Sequence, residues 1–340
     1  MTEDTRNCCG PAPGARTSEE ASGFQSAAHA VPQATPEVQA ALRARLVPLE
    51  GGFFDMGARQ SRFPEDLDSP RRRVRVSPFR IAPHAVTNAD YAAFVEASGY
   101  RTVAEQEGWS YVFHLFLDDV ARFPDYAGSA PWWRRVDGAC WNAPDGPGSD
   151  WQDRPDHPAV HLAWYDALAY CRWAGLRLPR EAEWEFAARG GLARKKYPWG
   201  NEMIPGGVHV MNTWQGEFPT SNTAEDGWLG TAPVGSFPPN GFGLYEMTGN
   251  VWEWVDDWYE REYYKEIDEY ANPKGPIGGE FKVVRGGSWR DLKGFIYSSF
   301  RNNGNPKSRT DDYGFRCARD ASPNSGPKKL TRLETPRFSG

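Results

Sequence analysis

The stretch that most restricts the fold runs from Asn240 to Tyr259, NGFGLYEMTGNVWEWVDDWY. Three tryptophans, three further Tyr or Phe rings, four acidic groups and three glycines share its twenty residues, a mixture that neither an amphipathic helix nor an alternating strand produces. Gly243 and Gly249 allow tight bends that expose carbonyl oxygens, and Glu246 and Glu253 place hard carboxylate oxygens on either side. A calcium ion takes such donors, although a turn with solvated carboxylates has the same composition. A second stretch, Asn212 to Trp228 (NTWQGEFPTSNTAEDGW), has the same character. There Asn212 and Asp226 are oxygen donors in a loop rich in turn formers, flanked by Trp214 and Trp228. Two such loops predict a fold pinned by ions and aromatic rings.

The rest of the composition agrees with an irregular scaffold. The 340 residues include 35 Gly and 28 Pro, well above the usual share, so loops predominate. With 15 Trp, 14 Tyr and 18 Phe, large rings must fill much of the core. A net charge of -6 gives no broad attraction to nucleic acid or to an anionic membrane, and the basic cluster Arg71 to Arg73 reads as the solvated start of a strand. No apolar run reaches the length of a membrane span, and the first twenty residues lack a basic segment followed by an apolar one. The expected location is cytoplasmic. Five cysteines do not make a disulfide framework, and the odd count leaves a thiol unpaired within the chain.

In order along the chain, residues 1–40 lack a core pattern and are expected to form a disordered or loosely attached tail, as are residues 321–340. Cys8 and Cys9 in the first tail are either solvent-exposed thiols or a mobile donor pair for a soft metal. Between the tails, 41–320 reads as one domain. LVPLEGGFFDMG predicts a strand, a Gly-Gly turn and a second strand, and RVRVSPFRI one further half-buried strand. Thr87 and Asn88 cap a helix running to Ser98, with Gly99 to stop it. AWYDALAYCRWAG predicts a helix ending at Gly175, and LPREAEWEFAARGG another with Pro179 at its start and Gly190 at its end. VVRGGSW and YGFRCA read as strands. His157 and His161 have the spacing of helical metal ligands, but Pro158 between them removes a helical hydrogen-bond donor, so structural roles are expected.

The strings RPDHPAVHLAWYDALAYCRWAGLRLPREAEWEFAARGG, PWGN, WQGEFPTSNTAEDG, PPNGFGLYEMTGNVWEW, RGGSW and YGFRC resemble, in order and spacing, the formylglycine-generating enzymes, or sulfatase-modifying factors. The resemblance runs from about Leu46 to about Arg319. It implies a single α+β domain with a C-type-lectin-like fold, poor in regular secondary structure and stabilised by two calcium ions. Carried over by position, one calcium site comprises the side chains of Asn212 and Asp226 with the carbonyls of Thr213 and Trp228. The other comprises Glu246 and Glu253 with the carbonyls of Gly249 and Val251. Glu246 stands where relatives often carry Asn. Cys171 and Cys317 match a pair that is disulfide-linked in some relatives.

The family chemistry oxidises a cysteine in a sulfatase Cys-X-Pro-X-Arg segment to formylglycine, with oxygen and a copper(I) ion held by two thiolates. Those thiolates are expected shortly after Ser288, at Asp291 and Ile296, where this chain has none. No Cys, His or Met occurs between Ser288 and Arg316, so the loop offers no soft ligand and copper binding is not expected. Ser288, Arg301 and Trp252 resemble positions at or near the substrate cleft, which implies that a cleft for a sulfatase or other peptide segment, or for a small ligand, persists. Asp291 and Lys293 could bind a polar ligand or form a solvated pair, and Tyr297 adds no metal chemistry. Three functions follow: a calcium-stabilised binding protein, an oxidase using a variant site such as Cys8 and Cys9, or another oxygen-dependent enzyme, which would need histidine ligands. Self-pairing and pairing with an active paralogue are both open.

Overall fold

Helix ends fall where capping chemistry puts them. In the computed structural model, which describes residues 18–62, 67–267, 270–292 and 296–321, the helix Asn88–Ser98 begins at Thr87. The Thr87 hydroxyl accepts the Asp90 N–H, and Gly99 ends the helix in the left-handed conformation. The helix Trp164–Ala174 ends at Gly175 in the same way. The next helix, Glu181–Ala188, starts at an N-cap on Arg180, so Pro179 precedes the cap instead of occupying the first turn. Among the described residues no helix is long and apolar enough to cross a membrane.

The strands are short and spread over small sheets, as the loop-rich composition requires. A four-stranded sheet has the order Arg301–Gly304, Lys282–Arg285, Trp252–Trp258, Tyr313–Gly314; its last pair is parallel and the others antiparallel. The Gly-Gly turn forms, with Gly51 at φ +66, but the strands on its two sides join different sheets. Val47–Leu49 pairs with Phe79–Ile81, which also pairs with Ala318–Asp320. Gly52–Met56 pairs with Arg72–Val76. The expected single strand RVRVSPFRI is therefore two, interrupted at Ser77 and Pro78, because Pro78 has no N–H to continue a ladder.

The N-terminal region also departs from the expectation of a loose tail. Helices span Ser18–Ala30 and Pro36–Ala44, the second capped by Thr35. Ala28 is fully buried, Phe24 stacks on Tyr165 at 6.0 Å, and the Ala34 N–H bonds the Trp173 carbonyl at 2.9 Å. This segment covers an apolar face of the Trp164–Ala174 helix. Residues 1–17 and 322–340 lie outside the described residues, so the expected C-terminal tail and Cys8 and Cys9 do too.

Rings and buried ions hold the layers together. Tyr91, Phe94, Tyr170 and Trp173 contact one another at 5.3 to 6.0 Å between the Asn88–Ser98 and Trp164–Ala174 helices. Glu181 and Glu185 turn inward from their helix to Arg285 and Arg301 of the four-stranded sheet, at 2.7 to 3.1 Å. Burial penalises the Glu185 charge, and Arg189 and Arg285 outweigh that penalty to lower its pKa. Removing one partner of such a fully buried pair costs about 3–5 kcal/mol.

Candidate functional site

The two oxygen-rich loops meet. A Cβ on Gly249 would lie 2.2 Å from the Asn212 carbonyl oxygen, so only glycine admits this approach, at its positive φ of +80. Asn250 completes the junction: its N–H bonds the Asn212 carbonyl at 3.0 Å, and its side chain bonds both backbone groups of Ala232.

In the first loop, Asn212 is fully buried. Its Nδ2 donates to the Gly230 carbonyl at 2.8 Å and to Asn250 Oδ1 at 3.2 Å, while its Oδ1 is buried with no hydrogen-bond partner. Asp226 Oδ2 accepts from Thr213 N and from Gln215 Nε2, each at 2.8 Å, and Oδ1 accepts from Trp228 N at 3.0 Å. Gln215 Nε2 also donates to the Thr213 carbonyl. Among the described residues the Asp226 carboxylate thus accepts only from neutral N–H groups, and two of the expected donors, Thr213 O and Asp226 Oδ2, converge on one amide. A buried amide oxygen left without a donor costs about 1–3 kcal/mol, and a hard cation is the species it suits.

In the second loop, Glu253 is nearly fully buried. It receives Arg316 through Nε and an Nη nitrogen, both at 2.7 Å, and the Trp184 indole N–H at 2.7 Å. The same guanidinium bonds the Tyr245 carbonyl at 2.9 Å. Glu246 adopts φ +44 and its carboxylate accepts the N–H groups of Gly235 and Phe237 at 3.0 and 3.3 Å. Burial raises its pKa, and those bonds oppose the rise. Gly249 and Val251, between them in the chain, are buried. Among the described residues no three His, Cys, Asp or Glu side chains gather at one metal-sized point. A cation in either loop would therefore depend on carbonyl and carboxamide oxygens.

After Ser288, the two positions expected for thiolates are filled by groups committed to the fold. Asp291 is buried, and its Oδ2 accepts the Ser288 N–H at 2.8 Å and lies 3.1 Å from Ser288 Oγ. Ser288 Oγ is also 2.9 Å from Asp312 Oδ2. One hydroxyl proton cannot serve both carboxylates, and burial pushes Asp291 up to about 6, with Arg290 opposing the rise. Ile296 is fully buried and abuts Gly287, where a Cβ would lie 2.8 Å from its Cγ1. Lys293 lies outside the described residues. Tyr297 is buried against Phe300 at 5.4 Å.

Trp252 is joined to this region, since its backbone N–H bonds the Asp312 carbonyl at 2.8 Å and its ring meets Phe300. Arg301 points into the Glu181 network, with two bonds of 2.8 and 3.1 Å to that carboxylate and contacts to the Tyr259 and Tyr264 rings. Among the described residues it shares no bonded partner with Ser288. The histidines are structural: His161 is buried with Nδ1 on Ser110 Oγ and Nε2 on the Pro144 carbonyl, both at 2.8 Å. His157 bonds Thr231 Oγ1 at 2.9 Å. Cys171 and Cys317 are free, buried thiols with sulfurs 3.7 Å apart.

A groove of about 1000 Å³ opens nearby, between the 116–125 segment, the strand Ala130–Asp137 and the 145–149 turn. Asp118, Asp119, Asp125, Asp137 and Asp145 line it against Arg122 and Arg135. Nothing in the spacing of those acids marked them as one surface. Arg316, Asp311 and Asp312 also went unmarked, because each acts on a group far away in sequence.

The family profile of the sulfatase-modifying factor enzyme 1-like domain matches residues 32–321. The formylglycine-generating enzyme of Streptomyces coelicolor is 50% identical over 287 residues, covering 82% of this chain and 90% of its own length. The inactive C-alpha-formylglycine-generating enzyme 2 of Mus musculus is 41% identical, covering 81% and 86%. Among solved structures, PvdO from Pseudomonas aeruginosa superposes with a TM-score of 0.59 at 28% identity, covering 81% of this chain and 94% of its own.

Proposed function

Because the chain belongs to the sulfatase-modifying factor family, we propose that it is a member that retains a calcium-stabilised scaffold and a peptide- or ligand-binding cleft without the copper-thiolate oxidase centre. The observation that carries this reading is the state of Asp291 and Ile296. One is a buried carboxyl bonded to Ser288 and the other a buried aliphatic group against Gly287. Neither can supply a soft ligand, and no Cys, His or Met lies between Ser288 and Arg316 to replace them. The existence of a relative named as inactive fits the same pattern of a kept scaffold and lost chemistry.

Calcium is the cation proposed for the first loop, held by Asn212 Oδ1, Asp226 and the carbonyls of Thr213 and Trp228, on the strength of the partnerless Asn212 oxygen. The second loop, with Glu246, Glu253 and the carbonyls of Gly249 and Val251, is the second proposed site. The acidic groove is the proposed peptide cleft, since its volume of about 1000 Å³ suits an extended segment and its charge favours a basic one.

The 50% identity to an enzyme named for the reaction favours a second reading, an oxidase with a variant centre. One experiment separates the two. The calcium-loaded protein is mixed with copper(I), oxygen, a reductant and a Cys-X-Pro-X-Arg peptide, and the peptide mass is followed. An unchanged mass beside a working control is the expected result, and conversion of thiol to aldehyde would overturn the binding reading. In that event a Cys8→Ser, Cys9→Ser protein tests whether those thiols supply the metal ligands.

A further inference from the structure

A small cavity of about 110 Å³ adjoins the acidic groove and shares Phe116 and Asp145 with it. Its walls include Trp289, Phe116 and Val160, its rim carries the Asp145 and Arg154 ion pair, and Asp311 lines it. Asp311 is 5% exposed. Its Oδ2 accepts the Phe113 N–H at 2.8 Å, whereas its Oδ1 is buried with no partner.

The guanidinium groups nearest Asp311 bond other carboxylates. Arg290 Nε bonds Asp312 at 2.7 Å and Arg154 bonds Asp145 at 2.6 Å; among the described residues no guanidinium bonds Asp311, and the Arg290 charge acts on it only through space. Burial, reinforced by the Asp312 charge, raises the Asp311 pKa well above the usual carboxylate range. A buried carboxyl oxygen with no bonded donor either keeps a proton or takes a cation. The adjoining apolar walls set a further condition, since a bare metal ion gains nothing from an indole, a phenyl ring and a valine. A short methylene stem does.

We propose that this cavity binds a primary aminoalkyl group, with the ammonium on Asp311 Oδ1 and the stem between Trp289, Phe116 and Val160. Two sources share that chemistry, a free small amine or the side chain of a lysine entering along the acidic groove. The proposal needs no copper and does not use Asp291 or Ile296; only its lysine arm rests on the reading of the acidic groove as the peptide cleft.

The test uses the full chain and isothermal titration with butylammonium, with butanol as the neutral isostere and Nα-acetyl-lysine methylamide as the side-chain source. Butylammonium is expected to bind at least about tenfold more tightly than butanol, which corresponds to about 1.4 kcal/mol. Asp311→Asn keeps an acceptor for the Phe113 N–H and presents a neutral amide to the cavity, so it should abolish that preference. If Asp311→Asn fails to fold, Val160→Phe fills the apolar end without touching the carboxyl and should weaken both ligands. Tighter binding of the lysine derivative would assign a protein partner, and tighter binding of butylammonium a small amine. Equal affinity for butylammonium and butanol, no binding of any of the three, or unchanged binding in the variant used would overturn the proposal.

Discussion

Asn212–Trp228 and Glu246–Glu253 carry the same kinds of oxygen donor, yet the structure gives them opposite electrostatics. The Asp226 carboxylate is bonded by neutral N–H groups, and Asn212 Oδ1 in the same loop has no partner. Glu253 is neutralised by a guanidinium that approaches through two nitrogens. A carboxylate held by neutral dipoles keeps its charge for an ion, whereas one bound to Arg316 would make an arriving cation face a like charge. The difference therefore ranks the two proposed calcium sites, with the larger calcium effect expected in the first loop and structural cohesion in the second.

The largest expected effect comes from breaking the second loop's internal pair. Arg316→Met strands the buried Glu253 carboxylate and should lower unfolding free energy by about 3–5 kcal/mol, measured by urea denaturation in chelator. Saturating calcium should then restore more stability to this variant than it adds to the unmodified protein, because the repelling charge is gone. Equal calcium responses in the two proteins would mean that Glu246 and Glu253 take no cation even when unpaired.

The first loop is tested by the ion itself. With calcium at about a hundred times its dissociation constant, the unmodified protein should gain about 2.7 kcal/mol over the chelated form. Asp226→Asn and Asn212→Ala should each lose most of that gain, read as the difference in melting temperature with and without chelator. Full retention of the gain in Asp226→Asn would reverse the ranking of the loops.

A third carboxyl extends the comparison, because Asp291 has neither a guanidinium bonded to it nor a candidate ion. Burial raises its pKa from 3.8 to about 6, so the folded state holds that proton more tightly than the unfolded chain. Its contribution is fully present below pH 3.8 and is lost as pH rises through about 6, a swing of about 3 kcal/mol. Asp291→Asn should flatten this slope between about pH 4 and 6 and leave the protein more stable than the parent at pH 7. An unchanged slope in the variant would mean that Asp291 does not carry this pH dependence.

Much of this was legible in the sequence where the interaction is local. Thr87, Gly99 and Gly175 set helix ends from within a turn, and the donors of each loop lie within seventeen residues of one another. What was not legible acts at long range. Arg316 reaches Glu253 across 63 positions, and Phe113 reaches Asp311 across 198. The RVRVSPFRI run alternates as one strand would, and only its two separate partners divide it. The helix Ser18–Ala30 has weak apolar periodicity, and its order comes from tertiary contact, through Phe24 on Tyr165 and the buried Ala28, and not from propensity.

The smallest effect belongs to Glu246, where the comparison is most finely balanced. At φ +44 a glutamate bears left-handed strain that asparagine tolerates better, a relief of up to about 1 kcal/mol. Against this, Glu246→Asn shortens the side chain and releases the Gly235 and Phe237 N–H groups. The Gly235 N–H lies near solvent, so water takes over much of its bonding. In chelator the two changes should leave stability within about 0.5 kcal/mol of the parent, measured by urea unfolding. With calcium present the balance tips only if the second loop holds an ion, since the variant keeps an oxygen donor and removes one negative charge. A calcium response unchanged by Glu246→Asn but removed by Asp226→Asn would place the ion in the first loop, where the free oxygen is.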